Sequence, residues 1–456
     1  MQGNSTRKLR VEAGGTQVVA HAGLHALGAF ADRLELGSGL SARIPWSGER
    51  APTHDRGTVL VHAMLMLAGG GEACSDIEQF HPQERLFGPV CSDSTLYRTL
   101  TTITPATLGA LTGAVATTRA EVWARTAATS GTGTVVLDID ASLVEIHSEN
   151  KAGTAPTYKR GFGFHPMFCF ADATGETLAA ILRPGNATAN DAADHLSVLD
   201  AAIRQLPGQV RDGHRPGDDH GRVNRQVVVR ADSAGNTRAF IDGCRARNIG
   251  FAVVARQNAR IHGVIANLAV DDKRWTKALR ADGDERDDAY VCEVSDLIDL
   301  SDRPAGTRLI IRREPRHPGA QTSLLPSETY RYWGHYTDQA ASPVELDRFM
   351  RAHAHVEDHI NRLKDSGLCR FPFAKLEANQ AWLALVCMAA DLVRWFQLIC
   401  CTGELASARP KRLRWQLWHT PARIIRTAGR DILRVLDGWP TTRQLLDAHA
   451  RIAALT

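Results

Sequence analysis

Three carboxylates stand where the sequence pattern changes, and together they could do chemistry. Asp140 lies near the end of a β-branched, apolar run, TVVLDIDASLVEI. Asp232 ends a second such run, QVVVRAD, and Glu357 sits in a charged helical stretch farther on. They are 92 and 125 residues apart in sequence, so only the fold can bring them together. Converging carboxylates supply the hard oxygen ligands that Mg²⁺ and Mn²⁺ prefer. Two such ions can activate a water or a 3′-hydroxyl and stabilise the leaving oxygen of an in-line phosphoryl displacement, with no covalent enzyme intermediate. Each acid also has a plainer reading. An aspartate at a strand end is commonly a cap or turn former, which suits Asp232 before Ser-Ala-Gly, and Glu357 reads equally as a solvated helix residue. Asp138 competes with Asp140, because alternation puts both on one face of the strand.

The elements that must position these acids follow from periodicity. Residues 16–130 read as helical, with segments near Val18–Leu34, Arg56–Ala68, Ser75–Phe80, Ser94–Thr102 and Thr104–Thr126. Ser75, Ser94 and Thr104 are the expected caps, with Pro105 at a first helical position and Gly69, Gly70 and Gly71 ending the second segment. At Gly131 the period becomes that of strands. TVVLDIDASLVEI, FHPMFCFAD and TLAAILRPG follow one another, the last two joined by a turn at Asp172–Gly175, which predicts an antiparallel meander. A helix over Asn190–Gln205, a strand ending at Asp232, a helix over Thr237–Arg247 and the strand GFAVVAR complete the series. The order β-β-β-α-β-α-β is that of a ribonuclease H-like mixed sheet, in which the first and fourth strands are adjacent and the last helix packs across them.

The expected class is therefore α/β, with five regions: a helical N-terminal domain (1–130), the first part of the core (131–256), a β-rich insertion (257–342), the last part of the core with its acidic helix (343–402), and a basic helical C-terminal region (403–456). The acidic helix is expected over Val344–Asp365 and a second over Leu376–Cys400. Hydrophobic residues make up 44% of the 456, which excludes a disordered chain, and a net charge of +4 means that any nucleic-acid surface must come from local clustering. The nine cysteines have no zinc spacing and read as reduced residues of a cytosolic protein. The N-terminus lacks the apolar core of a signal peptide. Asp391 and Arg394 interrupt the most apolar stretch, Trp382 to Cys401, so a buried helix is expected there and no membrane span.

Over residues 130–400 the sequence resembles the DDE transposases of bacterial insertion sequences, most of all the insertion-sequence 1380 family. LDIDASLVEIHSENKAGTAPTYKRGFGFHPMFCF, LRPGNATANDAADH, VVVRADSAG and HAHVEDHINRLKDSG carry the likeness. The resemblance implies a ribonuclease H-like core with a β-rich insertion, and a triad of Asp140, Asp232 and Glu357 holding two Mg²⁺ ions, with Mn²⁺ as a substitute. It favours Asp140 over Asp138, because the family's first acid precedes Thr or Ser by two residues. It implies a DNA-phosphate contact for Lys364, seven residues after Glu357. The family's Tyr and Arg ahead of the glutamate are replaced here by Met350 and His353, leaving His353, Arg348 and Arg351 as candidates for that phosphate clamp.

The implied function is metal-dependent cleavage at the ends of an insertion sequence, followed by strand transfer into target DNA. A non-catalytic, transposase-derived DNA-binding protein is the alternative. Partners would be double-stranded DNA, namely the terminal inverted repeats and the target, with a homodimer in the DNA complex and a location in the bacterial cytoplasm. The segment RPKRLRWQLWHTPARIIRTAGRDILR, Arg412 and Arg414 included, reads as a phosphate-contacting region with aromatic support. In the insertion, Trp275 and Trp333 read either as core residues or as platforms for an extruded base.

Overall fold

The computed structural model describes residues 12, 14, 16–44, 50–126, 133–268, 272–316 and 330–455. The N-terminal part runs β1 (Val18–Val19), α1 (Ala22–Arg33), α2 (Arg56–Gly69), α3 (Asp93–Thr101) and α4 (Pro105–Ala124). Thr104 caps α4 as expected, accepting from the Thr107 amide, and Gly70 ends α2 at φ 106°. The cap of α3 is Ser92, two residues ahead of the expected Ser94. The turn before it opens at Cys74, where Asp76 rather than Ser75 takes the Glu72 and Ala73 amides. Almost all of the N-terminal tail and the change of period at Gly131 fall outside the described residues.

The strands follow: β2 (Val135–Ala141), β3 (Met167–Ala171), β4 (Glu176–Ile181), then α5 (Ala192–Gln205), β5 (Val227–Ala231), α6 (Arg238–Arg245) and β6 (Gly250–Val254). Residues 257–342 add β7 (Thr276–Leu279), β8 (Glu285–Glu293), β9 (Arg308–Pro315) and β10 (Tyr330–Thr337), preceded by a helix at Ala259–Leu268. All ten of these strands except β1 join one nine-stranded sheet in the order β7-β8-β9-β10-β6-β5-β2-β3-β4. β2 pairs antiparallel with β3 and parallel with β5, and β5 is parallel to β6. The insertion is thus continuous with the main sheet, since β10 pairs with β6 at His335 and Val254.

Alternation along β2 divides the two faces. Leu137 and Ile139 pack with Val198, Leu199, Phe240 and Ile241 from α5 and α6. Asp138 and Asp140 are the cross-strand partners of Phe170 and Phe168, which face the opposite side. That side is covered by the N-terminal helices and by α7 (Pro343–Arg351), α8 (His355–Leu363) and α9 (Leu376–Cys400). The expected single helix over Val344–Asp365 is therefore two helices with a tighter turn at Ala352–Ala354 between them, and Gly367 at φ 105° ends the second. One apolar cluster runs from Leu24 and Phe30 through α2 to α9, so the N-terminal helices and the acidic helix share a core.

The C-terminal region departs from the all-helical expectation. Between Pro410–Trp418 and α10 (Thr442–Ala454) lies a hairpin, β11 (Ala422–Thr427) and β12 (Arg430–Val435), which pairs with β1. Its two-residue loop, Ala428 and Gly429, has positive φ at both positions (50° and 76°), the geometry that matches the twist of a tight hairpin. A basic composition reads as helix only while the two-residue alternation of ARIIRT and RDILRV is overlooked.

A buried polar network fastens the helices to the sheet. Arg119 of α4 is 1% exposed and reaches Glu176 (2.8 Å), Gln205 (2.6 Å) and Asp391 (2.6 Å). Trp123 and Trp395 donate to the same Glu176, each at 2.6 Å. Asp391 also accepts the Thr177 amide, and Gln380 bonds the Leu182 amide and Ala180 carbonyl. Side chains of α9 thereby satisfy the open edge of β4, as an edge strand requires. Burial pushes the Asp391 carboxyl up to about 7, with Glu176 adding to the effect and Arg119 opposing it. Removing one partner of a buried charge cluster leaves the others uncompensated. Arg119→Met should therefore cost about 3–5 kcal/mol in urea unfolding at neutral pH. A loss below about 1 kcal/mol would show that the network is not what couples α4 to the sheet.

Candidate active site

Asp140 is the next-to-last residue of β2, and Asp232 directly follows β5, its parallel neighbour. Both carboxylates thus lie at the same end of two adjacent strands. Each is steadied by a backbone amide: Ala141 N–H donates to Asp140 Oδ1 at 2.7 Å, and Ala234 N–H to Asp232 Oδ1 at 2.7 Å. Glu357 lies in the first turn of α8 and is exposed. Burial pushes the Asp140 carboxyl up to about 6, and the charges of Asp232 and Glu357 add to the rise, against the Ala141 amide and His353. Asp140 is therefore close enough to feel the charge of each of the other two acids assigned from the sequence. Among the described residues, no three His, Cys, Asp or Glu side chains are already gathered into a metal-holding cluster. The donor set is nonetheless all hard oxygen, and its mutual repulsion is the kind a divalent cation relieves.

Asp138 sits in a different environment. It is fully buried and opposite Arg230 in the parallel register. Arg230 donates from Nε to Oδ1 (2.8 Å) and from Nη2 to Oδ2 (2.6 Å), a two-pronged pair. His353 Nδ1 donates to the same Asp138 Oδ1 at 2.7 Å. Burial alone would raise this carboxyl, but the hydrogen bonds from His353 and Arg230 outweigh it and hold it below the usual carboxylate range. Arg230 continues to the Phe349 carbonyl (2.7 Å) and to Asp172 (2.9 Å), which His355 also meets at 3.0 Å. His353 in the tight turn and His355 at the start of α8 thus serve two different acids, one on β2 and one in the β3–β4 turn. Between them they lay the start of α8 onto the sheet, which fixes where Glu357 emerges.

The other sequence-selected residues are placed as follows. Arg351 bonds Asp347 at 2.9 Å and the Leu279 carbonyl, so its guanidinium is engaged between α7 and β7. Met350 is buried. Lys364 is half-buried at the end of α8, and the next residue, Asp365, is held by Arg409 and Lys411 at 3.1 Å each. Arg412 bonds Gln416 (2.9 Å) and Glu404, and Arg414 is half-buried with its donor on the Asp365 carbonyl. Trp275 is buried beneath Arg313, whereas Trp333 is 51% exposed on β10. Sequence reasoning missed Arg230, Asp172 and His355. Arg230 alone carried a signal: it is the single charged residue inside the apolar run QVVVRA.

Residues 1–456 match the family described as transposase DDE domain group 1. The chain belongs to that family. Among solved structures it is similar to a piggyBac transposase synaptic complex with hairpin DNA, at 9% identity and a TM-score of 0.42 over 88% of this chain and 80% of that one. No curated protein matches the sequence.

In this transposase-family chain two aspartates two residues apart should respond oppositely to substitution. Asp138→Ala strips the buried Arg230 of its two-pronged partner and leaves the partly exposed Asp172 as its counter-charge, at a cost of about 3–5 kcal/mol. An acid whose folded value lies above its unfolded one costs stability in full above the folded value, and the cost is gone only below the unfolded one. For Asp140 that is above about pH 6, and the cost fades as pH falls toward the ordinary carboxylate range. Asp140→Asn, without divalent cation, should thus gain about 1–3 kcal/mol above pH 6, with the gain vanishing in more acidic buffer. Urea unfolding above pH 6 and again in the ordinary carboxylate range decides the matter, and equal losses for both variants would contradict the assignment.

Proposed function

We propose that this chain is an active DNA transposase with a ribonuclease H-like core, cutting at the ends of a mobile element and joining them to target DNA. The observation that carries the reading is the charge-coupled set of Asp140 and Asp232, at matching ends of adjacent parallel strands, with Glu357 on a helix crossing the same face. The strand order β4-β3-β2-β5-β6, with β2 antiparallel to β3 and parallel to β5, supports the ribonuclease H-like assignment.

Asp140, Asp232 and Glu357 would hold Mg²⁺, or Mn²⁺ in its place. When bound, the ions lower the cost of forming the attacking oxygen anion and balance the charge on the leaving oxygen. The chain's own residues set the stage. The Ala141 and Ala234 amides orient the two aspartates, and the Asp138–Arg230–His353 network holds the helix that brings Glu357. In the reaction a water or 3′-hydroxyl oxygen forms a new bond to phosphorus in line with the departing 3′ oxygen. That oxygen leaves with the bonding electrons and takes up a proton. The resemblance to the insertion-sequence 1380 family supports a bacterial, cytoplasmic enzyme that pairs two inverted-repeat ends as a homodimer. Lys364 is proposed as a phosphate contact beside the cut.

Cleavage of DNA carrying the element's own ends, with Mg²⁺ and with EDTA, tests this reading. Asp232→Asn should lose cleavage by more than about 10³-fold while end binding stays nearly intact. Normal cutting by the variant, or binding without cutting by the wild type in every metal tried, would overturn it.

A further inference from the structure

The arginines singled out from the basic segment are engaged within the protein, while others in the same segment face solvent. On the hairpin, the cross-strand pairs Arg423↔Arg434, Ile425↔Ile432 and Thr427↔Arg430 share one face, and Val18 of β1 continues it beside Arg423. Arg423, Arg430 and Arg434 are exposed, as are Val18 (56%) and Ile432 (43%). No strand residue of that face is acidic. The hairpin's one aspartate, Asp431, is on the other face and pairs with Arg85 at 3.3 Å. The inner face is anchored, with Ala422 and Ile424 packed on Val19, Ala22 and Leu86. The tip is slender, since nothing lies within 4 Å of a side chain built on Gly429.

We infer that this hairpin is a DNA-binding ribbon that lays its outer face, through Arg423, Arg430 and Arg434, against the phosphates lining a groove of double-stranded DNA. The inference rests on the DNA-processing reading above. Three physical points support it. Two arginines directly opposite one another repel and weaken the free hairpin, a cost that a phosphate between them removes. Two strands about 4.8 Å apart form a ribbon that a B-DNA major groove, about 12 Å wide, accommodates. A second copy of this chain fits less well, because a two-fold contact would set the arginine face against itself.

The test is equilibrium binding of the full chain to a mixed-sequence duplex of roughly 30 base pairs, about three helical turns, over a range of salt. Each phosphate contact contributes about 0.9 to the slope of log affinity against log salt. Arg430→Gln should flatten the slope by about 0.9, and the triple variant Arg423→Gln/Arg430→Gln/Arg434→Gln by about 2.7. The triple variant should melt at or above the wild-type temperature, because the like-charged pair is gone. An unchanged slope in both variants, with wild-type binding and cleavage intact, overturns the ribbon alone. A wild-type chain that binds no duplex overturns both the ribbon and the DNA-processing reading. A changed sedimentation rate of the DNA-free triple variant makes the face a contact between copies and also overturns it.

Discussion

A buried ion pair, Arg230 with Asp138, governs the geometry of the candidate site. Both side chains are removed from water at the centre of the sheet, on neighbouring parallel strands. Taking two charges out of water is costly, and the cost is met only where geometry is good and the remaining hydrogen-bonding capacity is used. Here it is used fully: Arg230 reaches Asp172 and the Phe349 carbonyl, and Asp138 takes a further bond from His353. Each of these partners lies on an element that must sit correctly for Glu357 to face Asp140. The pair therefore contributes position more than net stability.

The two aspartates of β2 divide the work. Asp138 is held ionised by its hydrogen-bonding neighbours and keeps the frame, whereas burial first, and the nearby acids after it, give Asp140 a raised affinity for protons. The same rule operates at the Arg119 cluster, where one guanidinium faces two carboxylates and Asp391 is left well above its usual range. Asp138 is bonded by a guanidinium and an imidazole, whereas negative charge gathers at Asp140 beside Asp232 and Glu357. An imbalance of that sign is what a divalent cation requires.

Much of this was legible in the sequence. β-branched runs with turn residues between them marked the five strands and two helices of the series β2 to β6, and Leu376–Cys400 was read to the residue because its apolar stripe is long and uninterrupted by glycine or proline. Strand order allowed Asp140, Asp232 and Glu357 to converge, and the family resemblance selected Asp140 over Asp138. What stayed hidden depends on partners distant in sequence. The break between α7 and α8 follows from hydrogen bonds to Asp138 and Asp172, some 200 residues away, and local helix propensity is blind to them. Likewise, a run of arginines gives no sign of which ones are engaged. Arg414 is tied to the Asp365 carbonyl while Arg423 remains in solvent. The insertion's junction with the main sheet also escaped notice, since strand pairing at Val254 and His335 leaves no local mark.

Manganese binding tests the shared-carboxylate site most directly. Electron paramagnetic resonance of free Mn²⁺, titrated with DNA-free protein, reports affinity without requiring a substrate or turnover. The wild type should bind, and Glu357→Gln should weaken binding by at least about tenfold while the melting temperature of the metal-free protein is unchanged or higher. Equal Mn²⁺ affinity in the two proteins would mean that Glu357 does not share a site with Asp140 and Asp232.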